Sequence, residues 1–491
     1  MQQVNRINHS ELKKKSAKGG ISTMAAQATT ICIQIVSTIV LARILTPSDY
    51  GIVAMVLVVT GFAGVFRDLG LSTAAIQAKN LSREQQSNLF WLNIAAGTLL
   101  TALVASLSPA ISWFYSEPRL KMVTIVLSAN FLIASIGAQH NAHLAREMRL
   151  YVSATANVFG AIIGLPVSIF LALQGASYWA LVIASLSSSL TSTLILCKLS
   201  RLKISLPTKT GDVRKLLNFG VSITAFDIVN YFSRNLDNAL IGRFLGSLPL
   251  GLYSRAYSIL MLPIGTLRGP INAVGLPALS RLQDDKAAFK KCFCRLTRIL
   301  AFVSMPLTAF FLVSGKPLTN VIFGSNWQGV APIYQVLAAV GFIQPVSSLG
   351  GMLMLSLGEG RKYFQVGLVG AILASGSFVI GLFWGAIGVA SSYAIMTYLT
   401  LLPMMIWILK GSPVSLQDFF LSINSPAFSS IASAILTYLL SLKYPSGPDV
   451  LLITLQLLSF SFFYLGFTYT TKSGRENVSY CVNLIKMQFS K

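Results

Sequence analysis

Four arginines lie within long apolar stretches of this chain, where charged side chains are costly: Arg67, Arg234, Arg255 and Arg268. A guanidinium presents a planar fork of N–H donors that matches the oxygens of phosphate better than the point charge of lysine does. At about 4 Å and an effective dielectric of about 20, such a pair is worth on the order of 4 kcal/mol. We therefore expect these arginines, with Asp68 beside the first of them, to line the path of an anionic ligand. The alternative for Arg67 is a side chain that extends to the cytoplasmic membrane interface and anchors the helix there.

Two of the apolar stretches also carry polar stripes. One stripe comprises Asp227, Asn230, Arg234 and Asp237, and a second, uncharged one includes Gln27 and Gln34. Their spacings of 3 and 4, or 7 for the two glutamines, place each set on one helical face. A charge at the bilayer centre costs about 2.5–3.5 kcal/mol on insertion scales, so these faces should avoid lipid. Either the charges pair inside the protein, or they line a wet cavity in which Asp227 or Asp237 binds a coupling H⁺ or Na⁺.

The stretches that position these residues have the composition of membrane spans. The chain has 491 residues, 54% hydrophobic and 11% charged, whereas soluble domains carry roughly 25% charged residues. About fourteen apolar stretches approach the ~20 residues that cross a bilayer. They lie near 20–42, 50–70, 88–112, 120–140, 150–173, 177–198, 217–242, 250–270, 295–315, 330–356, 362–383, 386–409, 427–442 and 449–470. The sequence predicts an all-α polytopic membrane protein.

The basic residues indicate which side of the membrane each loop occupies. With the N-terminus in the cytoplasm, about 28 of the 38 Lys and Arg fall in inward, cytoplasmic segments, as the positive-inside rule requires. This bias favours an even number of spans and two cytoplasmic termini. The net charge of +23 then reflects topology, so we expect contact with membrane lipid and none with nucleic acid.

A weak internal repeat relates the two halves at an offset of 200 residues. The matched pairs include Gly20 with Gly220, Arg43 with Arg243, Gly51 with Gly251 and, after one inserted residue, Arg67 with Arg268. Each repeat holds six expected spans, an even number, so both copies keep one orientation and form two parallel six-helix lobes around a central cleft. The predicted divisions are a cytoplasmic tail at 1–19, an N-lobe at 20–198, a basic cytoplasmic linker at 199–216, a C-lobe at 217–409, two C-terminal spans within 427–470 and a cytoplasmic tail at 471–491.

Motifs for catalysis are missing from the sequence. It has no Walker-type glycine loop, no His-Glu-x-x-His and no Gly-x-Ser-x-Gly. His140 and His143 fall in an expected inward loop, and we assign no metal site to them. These observations predict a transporter rather than an enzyme, without a cofactor or a metal.

Several segments resemble one known family: ARILTPSDYGIVAM, VFRDLGLSTAAIQ, LSREQQSNLFWLN, WFYSEPRL, HLAREMRL and RNLDNALIGRFLG. They are similar to the polysaccharide-transporter (Wzx-like) branch of the multidrug/oligosaccharidyl-lipid/polysaccharide (MOP) exporter superfamily, densely over residues 15–300 and more loosely beyond. The resemblance implies a MATE-like fold in the bacterial inner membrane. It also implies that Arg67 is similar to a cavity-facing arginine in the second span of the related lipid II flippase.

The function implied by this resemblance is that of a flippase. Such a protein moves undecaprenyl-pyrophosphate-linked oligosaccharide, for O-antigen, capsule or exopolysaccharide, from the cytoplasmic to the periplasmic leaflet by alternating access. We expect the pyrophosphate near the four arginines and the sugars along Gln27, Gln34 and Asn230. A polysaccharide polymerase and glycosyltransferases of the same pathway are the expected partners.

Three other functions fit the sequence less well. A cation-coupled multidrug exporter of the same superfamily should have a mainly acidic cleft, whereas arginines match or outnumber aspartates in these spans. A membrane polysaccharide polymerase or ligase would need a sizeable outward loop, and the expected outward loops are short. A scaffold without transport activity would not need charged stripes within its spans.

Overall fold

A computed structural model of the chain describes residues 9–68, 75, 81–208, 231–232, 234–443, 447–471 and 474–475. Within these ranges the chain consists of helices and short connections, without a β-strand. It divides into two compact units, Met1–Gly251 and Leu252–Lys491.

Seven helices of the first unit precede residue 208 in the described part of the chain. They are α1 (His9–Ile44), α2 (Pro47–Asp68), α3 (Arg83–Ser106), α4 (Ser108–Tyr115), α5 (Leu120–Arg146), α6 (Leu150–Leu173) and α7 (Trp179–Ser200). Residues 234–245 are also helical, and the unit ends within the first turns of α8 (Ser247–Arg281).

The second unit continues from α8. Its further helices are α9 (Lys286–Val313), α10 (Gly315–Phe323), α11 (Val330–Ser347), α12 (Leu349–Ser356), α13 (Gly360–Gly381), α14 (Gly385–Leu409), α15 (Leu416–Ser441) and α16 (Asp449–Thr470). Single 3₁₀ turns, Ser325–Trp327 and Leu382–Trp384, precede α11 and α14.

Eleven helical segments in the described part of the chain are long and apolar enough to cross a membrane. One of them, Gly360–Leu409, contains α13 and α14 in succession. The prediction of an all-α polytopic membrane protein is confirmed. The count of fourteen spans stays a prediction, because the expected span at 217–242 lies largely outside the described residues. The predicted division into lobes, linker and tails also stays a prediction.

Polar caps fix where several helices begin. The Ser82 hydroxyl accepts from the Gln85 backbone N–H, and the Gln85 side chain accepts from the Ser82 backbone, each at 3.1 Å. This reciprocal capping box starts α3, and Ser415 with Asp418 forms another at α15. Such caps satisfy N–H groups that have no partner inside the helix.

Small residues let helices of the first unit approach closely. α6 packs along α7, α3 along α5, and α5 also along α7. A Cβ at Gly160 would lie 2.2 Å from the Ser192 Oγ, and a Cβ at Gly97 would lie 2.3 Å from the Ser135 Oγ. As is typical of membrane bundles, helices thus pack through small side chains.

The starts of α2 and α8 contact each other reciprocally. A Cβ at Gly51 would lie 1.8 Å from the carbonyl oxygen of Ser247, and a Cβ at Gly251 would lie 1.8 Å from that of Pro47. The hydroxyls of Ser48 and Ser247 are also hydrogen-bonded at 2.8 Å. Both glycines, and the two residues that they meet, are related by the offset of 200 found in the sequence.

The segment that follows α7 is held against the start of α3. The Asn88 side chain donates to the Thr208 carbonyl at 2.8 Å and accepts from its N–H at 2.9 Å. The Trp91 indole donates to the Ser205 carbonyl at 3.0 Å, and the Ser205 N–H donates to the Ser87 hydroxyl at 3.0 Å. These four hydrogen bonds fix the first residues of the predicted linker.

The prediction that His140 and His143 lie in a loop is wrong, because α5 continues to Arg146. His140 is buried, its ring lies 5.8 Å from that of Phe90, and its Nδ1 lies 2.6 Å from the Ser200 Oγ. The helix extends beyond its apolar run because its last turns pack on α3 and α7.

The core of the second unit lies around α9. Phe289, Phe293 and Phe419 are almost fully buried in one apolar cluster to which α9, α11, α12, α14 and α15 contribute. An ion pair of 2.8 Å between Lys290 and Asp418 joins the starts of α9 and α15.

Candidate functional site

Arg67 is the penultimate residue of α2 and follows the uncharged run 51–66. Its side chain is half-buried, and its Nε is buried without a hydrogen-bond partner among the described residues. A charged donor left unsatisfied inside a protein is costly. The site therefore favours an anion or water beside the guanidinium.

Arg67 lines a pocket of about 540 Å³ within the first unit. This volume is within the roughly 300–1,000 Å³ of typical small-ligand sites. The other walls come from α5, α6 and α7, and α7 contributes hydroxyl groups from Ser185, Ser188, Ser189, Ser192 and Thr193. We call this cavity the serine pocket.

The serine pocket depends on the pattern of α7. Its hydroxyl residues recur at spacings of 3 and 4, which places them on one side of the helix. That side packs close to α6 at Gly160 and Gly164, where an added Cβ would lie 2.6 Å from the Ser188 carbonyl oxygen and 3.2 Å from that of Ala184. Short hydroxyl side chains suit this spacing, because longer polar groups would separate the two helices.

Some polar groups of the pocket are already engaged. The Ser192 hydroxyl donates to the Ala156 carbonyl at 3.1 Å, and the Thr193 hydroxyl donates to a backbone carbonyl of α5 at 3.2 Å. The Ser153 hydroxyl donates to the Asn141 Oδ1 at 2.5 Å. The amide N–H groups of Asn141 have no partner within the described ranges. These contacts hold the wall in place.

Other polar groups have no such contact. In the part of the chain that the structure describes, the side chains of Asn157, Ser188 and Ser189 make no hydrogen bond, although all three line the pocket. Asn157 lies seven residues into α6, counted from its start at Leu150. This distance is about 10 Å along the helix axis. Hydroxyl and amide groups without partners in hydrocarbon cost about 4–8 kcal/mol each, so the pocket suits water or a polar ligand.

The charge of the pocket is positive. Among the described residues, its lining includes the guanidinium of Arg67 and no carboxylate. Hydroxyls both donate and accept hydrogen bonds, and amides supply both kinds of group. The arrangement can bind an anion that also carries hydroxyl groups.

Of the predicted site residues that the structure describes, Arg67 alone lines the serine pocket. Gln27 and Gln34 are exposed on α1, and Arg234 is exposed in the segment 234–245. The buried carboxylate of Asp237 accepts a hydrogen bond from the Asn238 backbone N–H at 2.7 Å. Their predicted roles in binding the ligand or a coupling ion stay predictions.

The remaining predicted residues are less completely described. Arg255 is half-buried on α8. Asp227 and Asn230 lie outside the described residues, as do the side chains of Asp68 and Arg268. Their roles also stay predictions.

Sequence reasoning missed most of the pocket wall. The signal was present as the run SLSSSLTST at 185–193, whose hydroxyls recur at helical spacing. Asn141 and Asn157 gave no such pattern, because they belong to different helices and meet the wall only through packing.

The chain shares its fold with helical membrane transporters of known structure. It is similar to the solved structure titled lipid II flippase MurJ in an inward closed conformation, with a TM-score of 0.75 and 13% identity over 91% of this chain and 98% of that one. It is also similar to an inward-facing multidrug resistance MATE family transporter of the MOP superfamily, with a TM-score of 0.63 and 15% identity over 78% of this chain and 94% of that one. The predicted MOP/MATE-like fold is confirmed.

The family follows from the sequence match. The chain matches the family described as "Polysaccharide biosynthesis protein" over residues 40–332 and belongs to it. A curated relative is the lipopolysaccharide biosynthesis protein WzxC of Escherichia coli (strain K12), 26% identical over 440 residues, which are 88% of each chain. The resemblance drawn from the sequence segments is thereby confirmed.

Proposed function

We propose that the protein is a flippase that carries a lipid-linked oligosaccharide across the bacterial inner membrane. It is a multi-pass transporter rather than an enzyme, and it moves undecaprenyl-pyrophosphate-linked repeat units from the cytoplasmic to the periplasmic leaflet by alternating access. Membership of a polysaccharide biosynthesis family and the fold of a lipid II flippase support this function. The observation that carries it is the half-buried Arg67, whose Nε has no hydrogen-bond partner among the described residues, in a polar pocket of a membrane bundle.

A sugar headgroup needs such a pocket because it cannot cross hydrocarbon unaided. Each hydroxyl moved there without a hydrogen bond costs about 4–8 kcal/mol. The polar wall of α7 replaces water around the sugar, and Arg67 supplies the bidentate donor that a phosphate requires. The polyprenyl tail stays in lipid throughout.

The pocket lies toward the end of the unit where α5 ends and α6 begins. In the predicted topology, with both termini cytoplasmic, this is the side from which the substrate is loaded. Arg234, Arg255 and Arg268 serve as further contacts for the anion, and Asp227 or Asp237 binds the coupling H⁺ or Na⁺. The glycosyltransferases of the pathway act before this step, and the polymerase acts after it.

The alternative, a cation-coupled multidrug exporter, has support from the MATE-like fold. A site for cationic drugs should present carboxylates, whereas the described lining of the serine pocket presents one guanidinium. The charge of the pocket therefore favours the flippase.

The test replaces Arg67 singly with Ala and with Lys in cells whose own exporter has been deleted. Surface polysaccharide is measured at matched protein levels, together with flipping of fluorescent undecaprenyl-pyrophosphate-linked sugar in proteoliposomes. We expect Arg67→Ala to lower the rate at least about tenfold, because a charged hydrogen bond is worth about 1.5–3 kcal/mol, and Arg67→Lys to restore part of it.

The matched control is Arg83→Ala, which removes an exposed arginine at the start of α3 and should leave flipping unchanged. Arg268→Ala and Arg268→Lys extend the test to the repeat equivalent. Full flipping by every Arg67 variant would refute the assigned role of this arginine. Export of cationic dye without any flipping of lipid-linked sugar would refute the proposed function.

A further inference from the structure

We propose that the serine pocket is a subsite for a single sugar ring that carries one acidic group. This inference rests on the proposed function and adds to it the chemical class of the substrate group that binds in the pocket. The acidic group is the sugar-linked phosphate of the lipid pyrophosphate, or the carboxylate of a uronic acid within the repeat unit. Both present one hydroxylated ring and one anion.

The volume of the pocket indicates more than an anion site. A phosphate bound by one guanidinium needs little more than the space beside Arg67, whereas the pocket measures about 540 Å³. Its far wall lies well within the bundle, since Ser188 is twelve residues before Ser200, where α7 ends, or about 18 Å along the helix. The remaining space is lined mainly by hydroxyl and amide groups.

The free hydrogen-bonding groups match the hydroxyls of a sugar. Asn157, Ser188 and Ser189 make no hydrogen bond within the described part of the chain, and the N–H groups of Asn141 are not used by its contact with Ser153. Hydroxyl and amide groups both donate and accept, as the hydroxyls of a pyranose do. A simple inorganic anion would leave the acceptors among them unsatisfied.

The distribution of charge limits the ligand to few negative groups. The cation comes from α2, whereas the free hydroxyls come from α7. A ligand that contacts both the cation and the free hydroxyls must carry an anionic group and several neutral polar groups on the same ring. A neutral sugar would leave Arg67 unpaired, which is costly for a half-buried charge.

The experiment measures binding of soluble probes to the full-length protein in nanodiscs by saturation-transfer NMR, which detects weak ligands. The probes are glucose 1-phosphate, glucuronic acid, methyl glucoside and inorganic phosphate. The double variant Ser188→Ala/Ser189→Ala should weaken binding of glucose 1-phosphate or glucuronic acid about tenfold and leave inorganic phosphate unchanged. Arg67→Ala should weaken every anionic probe, and Arg67→Gln repeats that test should the alanine variant fail to fold.

The matched control is Ser187→Ala, the same change on α7 at a residue outside the pocket lining. Binding of glucose 1-phosphate alone identifies the glycosyl phosphate, and binding of glucuronic acid alone identifies a uronic acid. Equal effects of the serine variant on phosphate and sugar phosphate, or no effect on either, would overturn the subsite. Loss of flipping in Arg67→Ala with no detectable sugar binding would overturn the subsite and leave the flippase standing. Serine-dependent sugar binding by a protein that flips no lipid-linked sugar even without a substitution would overturn the flippase and leave the subsite standing.

Discussion

The reciprocal contact between α2 and α8 allows a worked prediction for Gly51→Ala. The new Cβ would lie 1.8 Å from the Ser247 carbonyl oxygen, whereas a carbon and a carbonyl oxygen in close contact lie about 3.3 Å apart. The two helix starts must therefore separate by about 1.5 Å. Forced overpacking costs about 1–3 kcal/mol, and we expect the upper end because the clash is with backbone.

The same displacement gives Gly251→Ala a similar cost and makes the two changes non-additive. Once α2 and α8 have separated for one new methyl group, the second, at the matching position against Pro47, meets a contact that is already open. We expect the double variant to cost about 3 kcal/mol rather than about 6, as neighbouring sites typically couple.

The assay is equilibrium unfolding of the purified protein in mixed micelles by titration with SDS. The control is Gly376→Ala on α13, where an added Cβ has no heavy atom within 4 Å and better helix propensity favours the variant by up to about 1 kcal/mol. If Gly51→Ala is no less stable than this control, or if the two single costs simply add in the double variant, the reasoning from the contact is wrong.

Two further predictions concern the ends of the helices. Asn88→Ala removes both hydrogen bonds to Thr208, so the segment after α7 should be held less firmly. Limited trypsin digestion should then cut after Lys203 several-fold faster than in the unchanged protein. An unaltered rate would contradict the inference that Asn88 holds this segment against α3. Lys290→Ala should lower the free energy of unfolding by less than about 1 kcal/mol, which is typical of exposed ion pairs. Asp418→Ala should lower it by about 1 kcal/mol more, because Asp418 also caps α15. Equal losses in SDS unfolding would contradict this ranking.

The sequence predicted the spans best where a charged or polar residue bounds an apolar run. α6 covers Leu150–Leu173, the residues predicted, because Arg149 and Gln174 mark both ends of the run. α15 instead begins eleven residues before the predicted position 427. Its first turns carry Asp418, Asn424 and two serines, which lower the hydropathy of a segment that nevertheless packs on α9.

The site was predicted only in part, for a related reason. Arg67 was evident because a charge at the end of an apolar run has a high cost in lipid. Ser188 and Ser189 were overlooked because serines are common in spans, where the hydroxyl can bond to a backbone carbonyl of its own helix. That they face Arg67 and Asn157 across one cavity depends on how α2, α6 and α7 pack, which a single sequence does not record.

The composition of α7 also bears on how the protein enters the membrane during synthesis. Although it supplies most of the polar wall, α7 is still long and apolar enough to qualify as a span. Charged residues at a helix centre oppose insertion by about 2.5–3.5 kcal/mol each, and the pocket places its one such residue at the end of α2. Each of the four helices that line the pocket can therefore leave the translocon as an ordinary span. The cavity becomes hydrophilic only after these helices assemble.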